Sequence, residues 1–386
     1  MSLSEIDTGV SAPEDELVRA ELDEARRKRR TGRARIVGTL VSVAVIGAVF
    51  AFALPRIADY GDVWDEIHKL SWQWLVVLGL ATLLNLATYG PPLMAALPGL
   101  SYFHASRVTL ASTALSVIAP GGAAVGVATT VAMLRARGFS GRPVGLAVVV
   151  VSIWNQSVIL GFPILAVAGL AAQGARNRTL EIAALVGLAV FAVIVAGFAI
   201  ALSSERLAHR IGDRAARLIS AAGRLLHKAP VKWSGASFVR FRDESIALIR
   251  RRWPFLTAAT LAGHLTVFVV LVVSLRAVGV THTEVTIVEA FAAWTLARIL
   301  GAIPITPGGV GFVELGLTGV LIAFGASNTE AVAGTMIYRF LTVVPTVLLG
   351  LVAAGASVVG RKPGETAVTK PTDASRFSDP GGSRPG

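Results

Sequence analysis

The chain has no cysteine. That excludes disulfides, thiol catalysis and thiolate-held metals, and it leaves the redox compartment open. Charge is scarce, at 16% of 386 residues, and aromatics make up only 7%. The 6 histidines fall in no metal-ligand spacing. There is no HExxH, no GxSxG, no P-loop and no dinucleotide-binding glycine fingerprint. An intramembrane lipid-modifying enzyme would need a nucleophile or a metal set, and neither is evident. The chain reads as a non-enzyme without a cofactor.

What is present is apolar: 54% of the residues are hydrophobic. That composition belongs to membrane proteins. Apolar runs recur at lengths near the roughly 20 residues that cross about 30 Å of hydrocarbon. Arginine far outnumbers lysine, and Ala, Val and Gly are abundant, a composition expected of a GC-rich bacterial genome. The formal net charge of +12 comes from basic residues that flank apolar spans. This is the pattern of the positive-inside rule, not of a basic nucleic-acid-binding domain with interleaved aromatics.

Two stretches resemble each other: Ala119-Pro120-Gly121-Gly122-Ala123-Ala124-Val125-Gly126 and Thr306-Pro307-Gly308-Gly309-Val310-Gly311. Each lies inside an apolar region. There Gly weakens a helix by about 1 kcal/mol and Pro by about 3. The freed backbone groups need partners that hydrocarbon cannot supply, so such breaks persist where protein or a water-filled cavity surrounds them. Paired breaks at corresponding places in two halves point to a binding site near the membrane midplane.

Residues 1–35 form a polar tail with the basic run Arg26-Arg27-Lys28-Arg29-Arg30. A first span is predicted at Ile36–Leu54, uncleaved and with its N-terminus in the cytoplasm, since the run is too long and too distant for a signal peptide. The acidic loop at 55–71 is expected outside. Further spans are predicted at Trp72–Leu97, 143–171, 180–202, 254–278 and 331–357. Val108–Ala119 with Val125–Leu134, and Ala290–Ile303 with Phe312–Phe324, are pairs too short to span singly, so each reads as a re-entrant hairpin. The basic segment 203–252 is expected in the cytoplasm, as an amphipathic surface helix or as a solvated loop. The tail 359–386 is rich in Pro, Gly and Ser and is expected to be disordered.

Counting crossings places every strongly basic loop inside. Units 72–171 and 254–357 then share one order, span, broken hairpin, span, in opposite orientation. The fold expected is an all-α polytopic membrane protein with two inverted-topology repeats, within a membrane domain at 36–358.

Charges inside apolar segments are few: Arg298, Glu314 and Arg339, with Arg107 and Arg135 near the ends of the first hairpin. Glu314 falls in the first turn of the half-helix from Phe312, at the positive end of its dipole. Its cationic partner would be Arg298 or Arg339. Such a pair either locks the hairpin against the last span or lines a polar site. The helices after Gly122 and Gly309 direct free N–H groups at mid-membrane, which favours an anion. Tight helix packing is the competing reading of these glycines. His264, within a span, reads as a hydrogen-bonded core residue ahead of a proton relay. Asn155-Gln156-Ser157 fits a cavity lining or interhelical bonding equally well.

At Pro304-Ile305-Thr306-Pro307-Gly308-Gly309-Val310-Gly311-Phe312-Val313-Glu314, followed by Ile337-Tyr338-Arg339, the chain resembles the lysylphosphatidylglycerol synthase transmembrane region family, whose members are flippase-like. The first break departs from the family pattern. The family tends to carry an acid and an arginine soon after that Gly pair, whereas here Ala123, Ala124 and Val125 follow, and a basic residue appears only at Arg135. The resemblance implies movement of an aminoacylated phospholipid or another lipid-linked precursor between leaflets of the bacterial inner membrane. It does not imply lipid synthesis, because only a short tail follows the membrane region. The residues expected at the substrate, from the breaks, the intramembrane charges and the resemblance together, are Pro120, Gly121, Gly122, Arg135, Arg298, Pro307, Gly308, Gly309, Gly311, Glu314, Tyr338 and Arg339. The partner expected is an anionic, aminoacylated or polyprenyl-phosphate-linked lipid, and both termini are expected in the cytoplasm. The alternative is a non-transporting scaffold for a separately encoded cell-envelope lipid enzyme.

Overall fold

A computed structural model describes residues 59–119, 122–174, 235–301 and 306–359, with isolated positions between 182 and 196. The predicted first span, Pro120, Gly121, most of the span at 180–202, the basic segment before 235, Pro304 and the C-terminal tail lie outside the described residues. Among the described residues the structure is helical, with no strand. In chain order the helices are α1 (Tyr60–His68), α2 (Trp72–Ala87), α3 (Pro91–Ala96), α4 (Tyr102–Ile118), α5 (Gly122–Ala136), α6 (Gly141–Ala172), α7 (Gly235–Ala277), α8 (Ile287–Gly301), α9 (Phe312–Phe324) and α10 (Asn328–Val359). A single 3-10 turn at Pro307–Gly309 lies between α8 and α9.

Among the described residues, four stretches are long and apolar enough to cross a membrane: Trp72–Ala96, Gly141–Ala172, Arg250–Ala277 and Asn328–Ala356. They coincide with the predicted spans at those places. The helices of the two hairpins are shorter. At 1.5 Å per residue, the 15 residues of α8 and the 13 of α9 reach only about 20 Å each.

Three elements differ from expectation. The acidic loop at 55–71 contains helix α1, capped by Asp59, whose carboxylate accepts from the Gly61 amide at 2.7 Å. Asp59 supplies the N-cap acceptor and Asp62 favours the first turn electrostatically. The span from Trp72 is interrupted at Thr88-Tyr89-Gly90, and Pro91 restarts it as α3. Proline suits a first helical turn because its missing N–H would be unpaired there. Finally, the span predicted from 254 is the second part of one 43-residue helix that begins at Gly235 and runs through Pro254. The residues around that proline, Arg250, Arg251 and Trp253, are exposed, so the backbone group that Pro254 leaves unpaired meets water or headgroups.

The helices pack crosswise between the two halves. Spans α2 and α7 lie together, α10 packs on α4, and α8 packs on α6. Close approach needs small residues at both crossings. A Cβ on Gly350 of α10 would collide with the Leu110 carbonyl oxygen and the Ala114 side chain of α4. A Cβ on Gly169 of α6 would come within 2.8 Å of Val288 of α8. The largest core joins α7 to α10 around Leu271, Leu275, Trp294, Leu317 and Leu321. Phe162, Phe268, Phe291 and Trp294 stack within it at centroid distances of 5.2 to 5.7 Å, in tilted and edge-on geometries favoured by aromatic quadrupoles. A smaller core sits under the first hairpin around Leu97, Val108, Leu134 and Val144. The outer face of α2 is apolar and exposed at Leu75, Leu80 and Leu83, as a lipid-facing surface is.

Candidate lipid-binding site at the second helix break

The break after α8 is built by glycines that no other residue replaces without strain. Gly308, Gly309 and Gly311 hold φ of 62°, 68° and 91°, in the region where a Cβ meets the following carbonyl. The turn is tied by the Gly309 amide to the Thr306 carbonyl at 3.1 Å and by the Thr306 hydroxyl to the Val310 carbonyl at 2.8 Å. These bonds give the interrupted backbone the internal partners that a membrane interior demands.

Glu314 stands at the third position of α9 and is buried, with 3% of its side chain exposed. Both carboxylate oxygens are used. Oε2 accepts from the Gly311 amide at 2.6 Å, closing the helix N-terminus. Oε1 accepts from Arg339 Nε at 2.6 Å. Arg339, on α10, also donates through Nη2 to the Gly308 carbonyl at 3.2 Å. One arginine thus joins the last span to the acid and to the glycine turn. Of the two cations predicted as partners for Glu314, Arg339 takes the role. A carboxylate at this helix end is favoured by the dipole and by the amide it caps.

Arg298 takes a different place. Its Nη2 donates to His264 Nδ1 at 2.8 Å, and its guanidinium lies 5.5 Å from the centroid of Trp294. The nitrogen that accepts from arginine carries no proton, so His264 is neutral with its proton on Nε2. That N–H donates to Asn155 Oδ1 at 3.0 Å. The sequence reading of His264 as a hydrogen-bonded core residue agrees with this, and Asn155 is interhelical. The assignment of Arg298 as partner to Glu314 does not hold. The reason is one of placement: His264 on α7 faces α8 where Arg298 projects.

Tyr338 is buried, and its hydroxyl accepts from Trp294 Nε1 at 3.2 Å. It belongs to the wall beside Arg298 and Arg339. Arg135 lies apart, exposed at the end of α5, where it donates to the Phe139 carbonyl at 3.2 Å. Gly122 starts α5 and packs closely on the Ser116 carbonyl of α4. Gly126 packs on the Ser116 hydroxyl, a contact that the sequence reading missed and that the small-residue pattern of α5 signals.

The end of α4 and the second break are neighbours in space. α4 packs against the 3-10 turn, and a Cβ on Gly308 would come within 3.0 Å of Val117, three residues before Pro120. Gly308 is nevertheless exposed, while Gly309 and Gly311 are buried. The tip of the second break is therefore exposed.

Residues 36–350 match the family described as the lysylphosphatidylglycerol synthase TM region. The chain belongs to that family. It is a helical membrane protein with a lipid-related setting. No curated protein matches it. Among the described residues no group of His, Cys, Asp and Glu is arranged to hold a metal.

Proposed function

We propose that this protein binds a lipid, or a lipid-linked precursor with a phosphate-bearing headgroup, and moves it between the leaflets of the bacterial inner membrane, without catalytic chemistry of its own. The observation that carries this reading is the approach of the two halves at the second break: Val117 at the end of α4 lies against Gly308, beside the Glu314–Arg339 pair. Polar groups within apolar helices are costly and are retained for function or for pairing. In this reading, the first half (α2 to α6) and the second half (α7 to α10) are inverted repeats, and α4–α5 and α8–α9 are re-entrant hairpins that open on opposite sides. The repeated element order and the crosswise packing of α4 on α10 and α8 on α6 support it.

The Glu314–Arg339 pair holds the second hairpin to the last span in the resting state. Release of Arg339 from Gly308 exposes the turn carbonyl and the N-terminus of α9 to the headgroup. Both termini lie in the cytoplasm, as the basic flanks require. The test is reconstitution of the full-length protein in vesicles with a labelled anionic phospholipid and measurement of its exchange between leaflets. Wild type accelerates exchange over empty vesicles, while Glu314→Gln and Arg339→Ala slow it. Equal exchange for wild type and both variants defeats the assignment of the site.

A further inference from the structure

Arg298 is the membrane-interior cation that no acid neutralises among the described residues. The nearest candidate, Glu314, is committed to Arg339 and to the Gly311 amide. Arginine carries five N–H donors and stays charged. Among the described residues it has one acceptor, a neutral imidazole nitrogen. Arg298 is only half-buried, so its remaining donors are not sealed within apolar packing. A lone guanidinium inside a membrane protein is expensive unless an anion visits it.

The surroundings suit such a visitor. Trp294 supports the guanidinium from one side. From Arg298 a polar line runs through His264 and Asn155 to Gln156. Gln156 sits at the middle of the 32-residue α6, and with Ser152, one turn earlier, it is exposed. The polar line therefore ends at exposed polar positions at mid-span, where a headgroup passing along the bundle would meet it. Elsewhere on α6 the exposed positions are largely apolar.

We infer that Arg298 is the anion seat of this protein, that the group it takes is a lipid phosphate, and that His264 is the internal ligand occupying the seat when it is empty. The inference rests on the lipid-binding reading above and deepens it. The phosphate displaces the imidazole: the Arg298 guanidinium exchanges the single bond from Nη2 to His264 Nδ1 for two parallel bonds, from two of its nitrogens, to phosphate oxygens, the bidentate pairing that guanidinium favours. His264 then turns its bonding to Asn155 alone. The imidazole and the anion compete for one donor, which sets two residues in contact against each other in their effect on binding.

That opposition is the test. Full-length protein in a maltoside detergent is titrated with dihexanoylphosphatidylglycerol, with dioctanoylglycerol as the phosphate-free control and inorganic phosphate as the lipid-free one. Arg298→Gln weakens binding of the phospholipid by about tenfold or more, as loss of a charge-assisted pair implies. His264→Ala, which removes the competitor, tightens it by about threefold, because the competent seat is more often vacant. Arg298→Lys binds between wild type and Arg298→Gln. If Arg298→Gln does not purify as a folded protein, His264→Ala and Arg298→Lys decide. Unchanged binding in Arg298→Gln, or weaker binding in His264→Ala, overturns the seat. Inorganic phosphate that binds as tightly as the phospholipid overturns its lipid specificity. Vesicle exchange measured in parallel separates the two readings. Exchange that persists without binding through Arg298 removes the seat and keeps the transporter. Binding through Arg298 with no exchange keeps the seat and removes the transporter.

Discussion

Replacing Glu314 by Gln tests whether the second break is held by electrostatics. The change is isosteric. It leaves one carbonyl oxygen and puts an amide where the second carboxylate oxygen was. Glu314 now faces two donors, Gly311 N–H and Arg339 Nε–H, each at 2.6 Å. Whichever way the glutamine turns, one donor meets an N–H group and loses its acceptor. An unsatisfied buried donor costs about 1–3 kcal/mol. Arg339, with only 15% of its side chain exposed, also loses its counter-charge. Breaking a buried pair from one side costs about 3–5 kcal/mol in all. Arg339→Gln strands the carboxylate and falls in the same range. The double variant strands neither charge and two glutamines can bond to each other, so its cost should be about 1–2 kcal/mol rather than the sum of the singles. Reversible unfolding in mixed detergent micelles, followed by helical circular dichroism for the four proteins, gives the coupling energy. Single-variant costs that add to within about 0.5 kcal/mol would refute the claim that this pair acts as a unit.

Further predictions concern packing and the loop between α7 and α8. Gly350→Ala drives a methyl into the Leu110 carbonyl and Ala114 and should destabilise the fold by about 1–3 kcal/mol through overpacking, whereas Gly355→Ala, where a Cβ meets nothing within 4 Å, should be neutral or slightly stabilising in the same unfolding assay. Tyr338→Phe leaves Trp294 Nε1 without its acceptor and should cost about 1–3 kcal/mol, with a changed tryptophan emission maximum as its signature. In the loop between α7 and α8, Glu284 accepts from the backbone and hydroxyl of Thr281, and these bonds hold its carboxyl below the usual range. A depressed folded value means the contribution is present above the unfolded carboxylate value and fades as pH falls through the folded one. Amide exchange at Thr281, corrected for intrinsic rate, should therefore speed up in that acidic window, and Glu284→Gln should abolish the dependence.

The helices were legible wherever the chain announces its own interruptions. Phe312–Phe324 was bounded correctly because Pro-Gly-Gly precedes it and Gly325 follows it. The long apolar runs at Gly141–Ala172 and Asn328–Val359 needed only length and hydropathy. The break at Gly90-Pro91 was equally visible, yet the apolar run on both sides masked it. Helix α1 was missed because its nine residues carry four acids and bases among aromatics, a pattern that periodicity over a short window does not separate from a loop. At the site, Glu314 was placed by local spacing alone, since its cap on Gly311 spans three residues. Its choice of Arg339 over Arg298 was not legible, because it depends on which faces of α8 and α10 turn toward α9. The partners of Arg298 lie farther still: His264 is 34 residues away, and the Asn155 that follows is 109 from His264. Such separations are set by tertiary packing.

The unequal fates of the two arginines have an electrical consequence. Glu314 cancels Arg339, so the second break is neutral as a unit, while Arg298 has no acid against it among the described residues. A charge carried across a membrane potential is worth about 2.3 kcal/mol per 100 mV. With a singly charged anion aboard, the seat is neutral and its movement is blind to voltage. Empty, it carries its charge through whatever part of the field it crosses. On the transport reading proposed above, in a cell with a negative interior the potential acts on the return of the vacant carrier and not on the loaded step, drawing Arg298 inward and setting on which side the seat waits.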